Sequence, residues 1–324
     1  MYKRGLPGFF ERLFSKTIPF SNAYAEILLL KASDVMTNNV MCVHREDKLI
    51  DAAHTMIGSH ISCLVVLDNY YKPGGIITER DFIKKLSMTE KGSASLLVLD
   101  LMTKKLITAV PHTNLFEAQK TMRLHNFRKI VVVQNDELKG IMTQTDLCKV
   151  IAGLRTPILN APLVSDVMTR KALTVSCEDE FLKAKKLMAA KDMGSVIVME
   201  KNDICGIFTE FDIVSEFFMN PNKLMNSRMH DLVSKPIICI SPDFELVFVN
   251  KLMLEHNFRR LPVIENDKLI GIITQTDVAR SIYEFIEKNK DVKNDRKAKY
   301  QEPLYDIIRK SNIILYKKKL LAKE

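Results

Sequence analysis

His256-Asn-Phe-Arg-Arg-Leu-Pro-Val-Ile-Glu-Asn-Asp-Lys-Leu-Ile-Gly-Ile-Ile-Thr-Gln-Thr-Asp277 repeats an earlier stretch of the same chain, His125-Asn-Phe-Arg-Lys-Ile-Val-Val-Val-Gln-Asn-Asp-Glu-Leu-Lys-Gly-Ile-Met-Thr-Gln-Thr-Asp146. The copies lie 131 residues apart and agree at 14 of 22 positions. Their ending, Gly-Ile-x-Thr-x-x-Asp, occurs twice more. The four instances carry Gly75, Thr78 and Asp81; Gly140, Thr143 and Asp146; Gly206, Thr209 and Asp212; Gly271, Thr274 and Asp277. Their threonines are spaced by 65, 66 and 65 residues.

A second marker keeps the same period upstream: Asp34-Val-Met-Thr37, Asp100-Leu-Met-Thr103, Asp166-Val-Met-Thr169 and Asp231-Leu-Val-Ser234. Two markers in one register mean repeated supersecondary units. Repeats one and three share Asp-Val-Met-Thr and Thr-Glu-x-Asp, whereas repeats two and four share His-Asn-Phe-Arg and Thr-Gln-Thr-Asp. That nesting is left by duplication of a pair, so the pair is the expected structural unit. A single unit has a small core, which favours association with a neighbour.

One period reads as β-α-β-β-α. In the fourth, Ile237–Ile240 is expected as a strand, and Ser241-Pro242 as the start of a helix with Ser241 as N-cap. Leu261–Ile264 and Leu269–Ile273 form a hairpin around Asn266-Asp267, and a second helix follows Thr274. The turn of repeat one, Asp68–Gly75, is one residue longer than its counterparts, which leaves its strand register open. The fold class expected is α+β, with sheets and helices in layers.

The 324-residue chain is 47% hydrophobic and 27% charged, an ordinary composition for a soluble protein of two or three globular units. No apolar run approaches the roughly 18 residues of a membrane-spanning helix. The six cysteines show no metal-ligand spacing and are expected as reduced thiols in a cytoplasmic setting. No zincin, P-loop, dinucleotide or Ser/His/Asp signature appears, so neither catalysis nor a metal is expected. The net charge of +9 sits at the ends: residues 1–31 carry +3 and 286–324 carry +6, leaving 32–285 neutral. Nucleic-acid contact, if any, is assigned to the 286–324 tail. Leu6, Phe9, Phe10, Leu13 and Phe14 recur at helical spacing and are expected to dock on a repeat or a partner, and a helix is expected from Pro303.

Thr-x-x-Asp is a capping box in its simplest reading. The same geometry also suits a ribose phosphate. A helix start presents free N–H groups, the carboxylate can accept from vicinal hydroxyls, and glycine admits close approach to a ligand.

The whole period resembles the CBS domain, named after cystathionine β-synthase, on Asp-Val-Met-Thr, Leu261-Pro-Val-Ile264 and Gly-Ile-Ile-Thr-x-x-Asp. The resemblance implies an N-terminal extension at 1–32, CBS repeats at 33–90, 99–155, 165–220 and 229–285, and a basic tail at 286–324. It further implies two Bateman modules with clefts between paired repeats. The clefts would take AMP, ADP, ATP or S-adenosylmethionine as regulatory ligand, with no cofactor required. The implied output is to a protein partner or a homodimer; the alternatives are a nucleic-acid-associated protein and an oligomerisation scaffold. By position, the resemblance assigns ribose contacts to Asp81, Asp146, Asp212 and Asp277 with Thr78, Thr143, Thr209 and Thr274. It assigns the base wall to Ile76, Ile141, Ile207 and Ile272, and phosphate contacts to Arg128, Lys129, Arg259 and Arg260. The equivalents of those cations in repeats one and three are Ser62/Cys63 and Gly194/Ser195, so each module is expected to neutralise phosphate in one cleft.

Overall fold

The hairpin turns Asn135-Asp136 and Asn266-Asp267 place both residues at positive φ, 53° and 62° in the first and 49° and 59° in the second. That left-handed pair matches the twist of the flanking strands, and Asn and Asp tolerate it better than other side-chain-bearing residues. In a computed structural model, residues 22–86, 95–154, 158–221, 224, 227–233, 237–291 and 315–316 are described. The amphipathic stretch Leu6–Phe14 and Ser234 lie outside the described residues, as does the expected helix from Pro303 except at Leu315–Tyr316, which form a strand instead.

Each repeat has the expected order. Repeat two runs Thr108–Ala109 (strand), Leu115–Leu124 (helix), Lys129–Gln134 and Glu137–Thr143 (hairpin) and Gln144–Gly153 (helix). Its first strand lies parallel to the second, and the hairpin is antiparallel. Repeats one and three follow the same plan. Every hairpin carries an irregularity next to its glycine, as between Val132 and Val133 opposite Gly140. Repeat one keeps that register, with Val66 opposite Gly75 and Leu67 opposite Pro73. Its extra residue is absorbed in the turn, where the Asp68 carboxylate accepts from the N–H groups of Tyr70 and Lys72.

Repeat four departs from expectation in two places. Its first strand is only Ile237–Ile238, which pairs antiparallel with Leu315–Tyr316, while Ile240 alone bridges to Val263 in the repeat's own sheet. Its first helix is Leu246–Glu255 with Glu245 as N-cap, so Ser241 and Pro242 do not open it. The backbone of Val164 donates to Phe244 O and that of Ser165 to Pro242 O, both at 2.8 Å. Those tertiary bonds hold 242–244 in a turn and bend, with Glu245 in a bridge, and override the local helix-start signal.

The two sequence markers meet in space, always across a pair. The Met36 sulfur lies 2.5 Å from where a Cβ on Gly140 would stand. Met102 covers Gly75 in the same way, Met168 covers Gly271, and Val233 covers Gly206. Thr37 forms a reciprocal bridge with Ile141, Thr103 with Ile76, and Thr169 pairs with Ile272. The glycines were expected to make room for a ligand. They make room for the neighbouring repeat, and none shows a positive φ that would call for glycine on conformational grounds.

Within each pair, the sheets face each other around Val65, Val131 and Ile141, or around Ile197, Ile264 and Ile272. Between pairs, helices pack on helices. Repeat one meets repeat three around Phe82, Phe181 and Phe217, and repeat two meets repeat four around Met122, Met253 and Tyr283. The helix Ala23–Leu28 docks on this second core, and Asn22 Nδ2 donates to Lys290 O near the chain's other end. All six cysteines are free thiols, four of them buried. Among the described residues, no helix is long and apolar enough to cross a membrane.

Candidate functional site

Each second hairpin strand ends at a threonine that caps the following helix, with the Asp three residues on completing the box. One carboxylate oxygen does all the capping. Oδ2 accepts from the Thr N–H and Thr Oγ1 at 2.9 and 2.7 Å in Asp81, 2.9 and 2.8 Å in Asp146, 2.8 and 2.7 Å in Asp212, and 3.0 and 2.7 Å in Asp277. The other oxygen is left for a different task. Asp81 Oδ1 accepts from Lys85 Nζ at 2.7 Å and from Thr103 Oγ1, contributed by the paired repeat, at 3.0 Å. Lys149 Nζ approaches Asp146 Oδ1 at 3.1 Å, and Arg280 approaches Asp277 Oδ1 at 3.4 Å. Helix cap and a second, cation-bound acceptor thus coexist in one side chain.

Among the described residues, three clefts lie at these groups. A cavity of about 390 Å³ is lined by Ile76, Thr78, Asp81, Arg128 and Lys129, together with Arg80, Lys84 and Lys85. A second, of about 500 Å³, brings together Ile141, Thr143, Asp146, Lys129 and Arg259. A third, of about 240 Å³, holds Ile207, Thr209, Asp212, Arg259 and Arg260. Thr274, Asp277 and Ile272 line none of these three, and Ile272 is buried between the sheets of its pair. The sizes suit a small ligand held in a concave, partly apolar site.

The four strand-entry cations occupy equivalent places: Lys129 faces Thr143 and Arg260 faces Thr274, as Cys63 faces Thr78 and Ser195 faces Thr209. Their partners were not legible from the repeat alone. Arg128 Nη2 donates to Glu210 Oε2 at 2.9 Å, and Arg259 lies 3.6 Å from Glu79. Lys129 Nζ points at Ser62 O, 3.4 Å away in the paired repeat. Arg259 comes from the second pair yet lines a cavity of the first.

Glu79, Gln144, Glu210 and Gln275, each directly after its threonine, are all buried. Three of them reach the opposite pair: Glu79 to Arg259, Glu210 to Arg80 and Arg128, and Gln275 to Thr145. Burial pushes the Glu210 carboxyl up, but Arg128, Arg80 and Arg260 outweigh it and hold the group at about 2. Burial brings Arg260 down to about 10, with Glu210 opposing, and lowers the Lys129 ammonium as well. Arg80, Lys84, Lys85, Asp192 and Glu210 are site residues that reading the repeats missed. One signal was present: the position after the threonine is Glu in repeats one and three and Gln in repeats two and four.

Comparison with known proteins agrees with this geometry. The family profile described as "CBS domain" matches residues 32–88, 98–153, 164–218 and 229–284. Protein MJ1225 of Methanocaldococcus jannaschii is 27% identical over 190 residues, 54% of this chain and 67% of that protein. Protein MJ1404 of the same organism is 24% identical over 269 residues, 77% of this chain and 61% of the relative. The crystal structure of MJ1225, described as a candidate archaeal homologue of γ-AMPK, superposes with a TM-score of 0.70 at 19% identity, covering 78% of this chain and 99% of that one. A conserved protein from Pyrococcus horikoshii superposes with a TM-score of 0.55 at 18% identity, covering 78% of this chain and all of that structure. Four matched copies, paired sheet to sheet into two modules, show that the chain belongs to the CBS domain family.

Proposed function

We propose that this protein is a non-catalytic regulator that binds adenosine-containing ligands, of the class AMP, ADP, ATP or S-adenosylmethionine, in the clefts between paired CBS repeats. The observation that carries the reading is the division of labour in Asp81 and Asp146. One oxygen caps the helix while the other sits in a cavity that also holds an isoleucine and several cations. Vicinal hydroxyls can take the second oxygen from its lysine, the apolar wall accepts a base, and the cations suit phosphate. Occupancy would favour one packing of the two modules over another, as any ligand-driven shift requires. A protein partner, which can be a second copy of the chain, would read that packing.

Calorimetric titration with the four ligands tests the proposal. Asp81→Ala and Asp146→Ala should each weaken binding in their own cleft by at least about tenfold, the value of a hydrogen bond to a charged group. Asp277→Ala should leave those heats in place. Absence of heat with all four ligands would refute the reading.

A further inference from the structure

The cleft at Asp81 has a cationic wall whose counter-charges come from the wrong place for a self-contained site. Arg80 Nε donates to Glu210 Oε1 at 3.0 Å, and Arg128 Nη2 donates to Glu210 Oε2 at 2.9 Å. Lys84 Nζ lies 2.5 Å from Asp192 Oδ1, which also stands 3.4 Å from Arg80 Nη1. Arg80, Lys84 and Arg128 all line the cavity, and so does Asp192. Both carboxylates belong to repeat three, in the opposite module. The Glu210 side chain is only 2% exposed, whereas Arg80 and Arg128 are 27% and 31% exposed, toward the cleft. Two guanidinium groups and an ammonium converging on carboxylate oxygens are the donor set that would otherwise take a phosphoryl group.

Glu210 also has a third cation within reach. A Cβ on Gly194 would stand 2.8 Å from Arg260 Nη2 and 3.0 Å from Glu210 Oε2, so both groups crowd the space that this glycine leaves open. Arg260 lines the cavity at Asp212 in the second module. Glu210 is the first helical residue after Thr209, which lines that same cavity.

We propose that Glu210 and Asp192 act as built-in counter-anions for the Asp81 cleft, so that a phosphorylated ligand must displace them from Arg80, Arg128 and Lys84 and thereby weakens the contact between the modules. The proposal rests on the nucleotide reading for its ligand and supplies the physical link by which occupancy reaches the module contact. A buried carboxylate stripped of its partners is strongly disfavoured, so Glu210 turns to Arg260 when its first two partners are taken. Arg260 is then less available to an anion at Asp212. Phosphorylated ligands in the two clefts therefore oppose each other, and uncharged ones do not.

The test titrates the full-length protein with AMP, adenosine and inorganic pyrophosphate, as wild type, Glu210→Gln and Asp192→Asn. Freeing two charge-assisted donors should tighten AMP and pyrophosphate about tenfold in Glu210→Gln and leave adenosine unchanged. The gain should vanish when Arg80→Ala is added, which places it in this cleft. Opposition between two AMP sites should be present in wild type and lost in Glu210→Gln. Asp192 is 43% exposed and tolerates neutralisation, so Asp192→Asn gives a smaller gain in the same direction even if Glu210→Gln folds poorly. Anion binding no tighter in either variant than in wild type overturns the proposal. If AMP binds equally to all chains, the counter-anions fall and the nucleotide reading stands. If only pyrophosphate binds, and binds the variants more tightly, the nucleotide reading falls and the counter-anions stand.

Discussion

Replacing Gly140 by alanine should weaken the seam between the first two repeats, by an amount set by what lies against this glycine. The new Cβ would stand 2.5 Å from Met36 Sδ, 2.8 Å from Met36 Cγ and 3.0 Å from Thr37 O. Unstrained carbon contacts need about 3.5–4.0 Å, so Met36 must withdraw by roughly 1 Å and the Thr37 backbone by a few tenths. Thr37 cannot yield freely, because its N–H and C=O bond reciprocally to Ile141 at 2.9 and 3.0 Å. Overpacking of this kind costs about 1–3 kcal/mol, and weakening one bridge bond adds about 0.5–1.5 kcal/mol. Against this, alanine restricts the unfolded chain and returns about 0.4–1 kcal/mol. The net loss is therefore about 0.5–4 kcal/mol. Most of the clash is with a side chain, so Met36→Ala should relieve it. The double variant should be more stable than the sum of the single losses predicts by about 1 kcal/mol or more. Urea denaturation followed by far-ultraviolet circular dichroism suits a chain with no tryptophan. The reasoning fails if Gly140→Ala is neutral, or if the two substitutions add within about 0.3 kcal/mol.

Gly58→Ala is the matched control: nothing lies within 4 Å of its added Cβ, and it sits in the helix Leu49–Gly58, so it should stabilise by about 0.5–1 kcal/mol in the same denaturation assay. Glu210 supplies an acid-dependent contribution. Its folded value of about 2 lies below the ordinary 4.5, so its stabilisation is complete above pH 4.5 and is lost as pH falls toward 2. A gap of that size corresponds to up to about 3 kcal/mol. Wild type should lose midpoint stability more steeply than Glu210→Gln across that window, and parallel pH profiles would contradict the network drawn around this carboxylate.

Much of this protein was legible from one dimension. The two markers at a 65–66-residue period fixed the number of repeats, and their nesting fixed the pair as the unit. Thr-x-x-Asp announced a capping box and Asn-Asp a tight turn, because both are settled by the few residues that form them. Tertiary structure decided everything that depends on which surfaces meet. The start of the helix Leu246–Glu255 was moved four residues by bonds from Val164 and Ser165. Gly140 had to be glycine because Met36, more than 100 residues away, lies on it. Glu210 found Arg128 82 residues upstream and Arg80 130 residues upstream, so a cation set that reads as free in the sequence is already paired in the fold. Period and composition carry the short-range physics of caps, turns and alternating strands. The direction of a buried charge is set by the low-dielectric surroundings that only the assembled modules create.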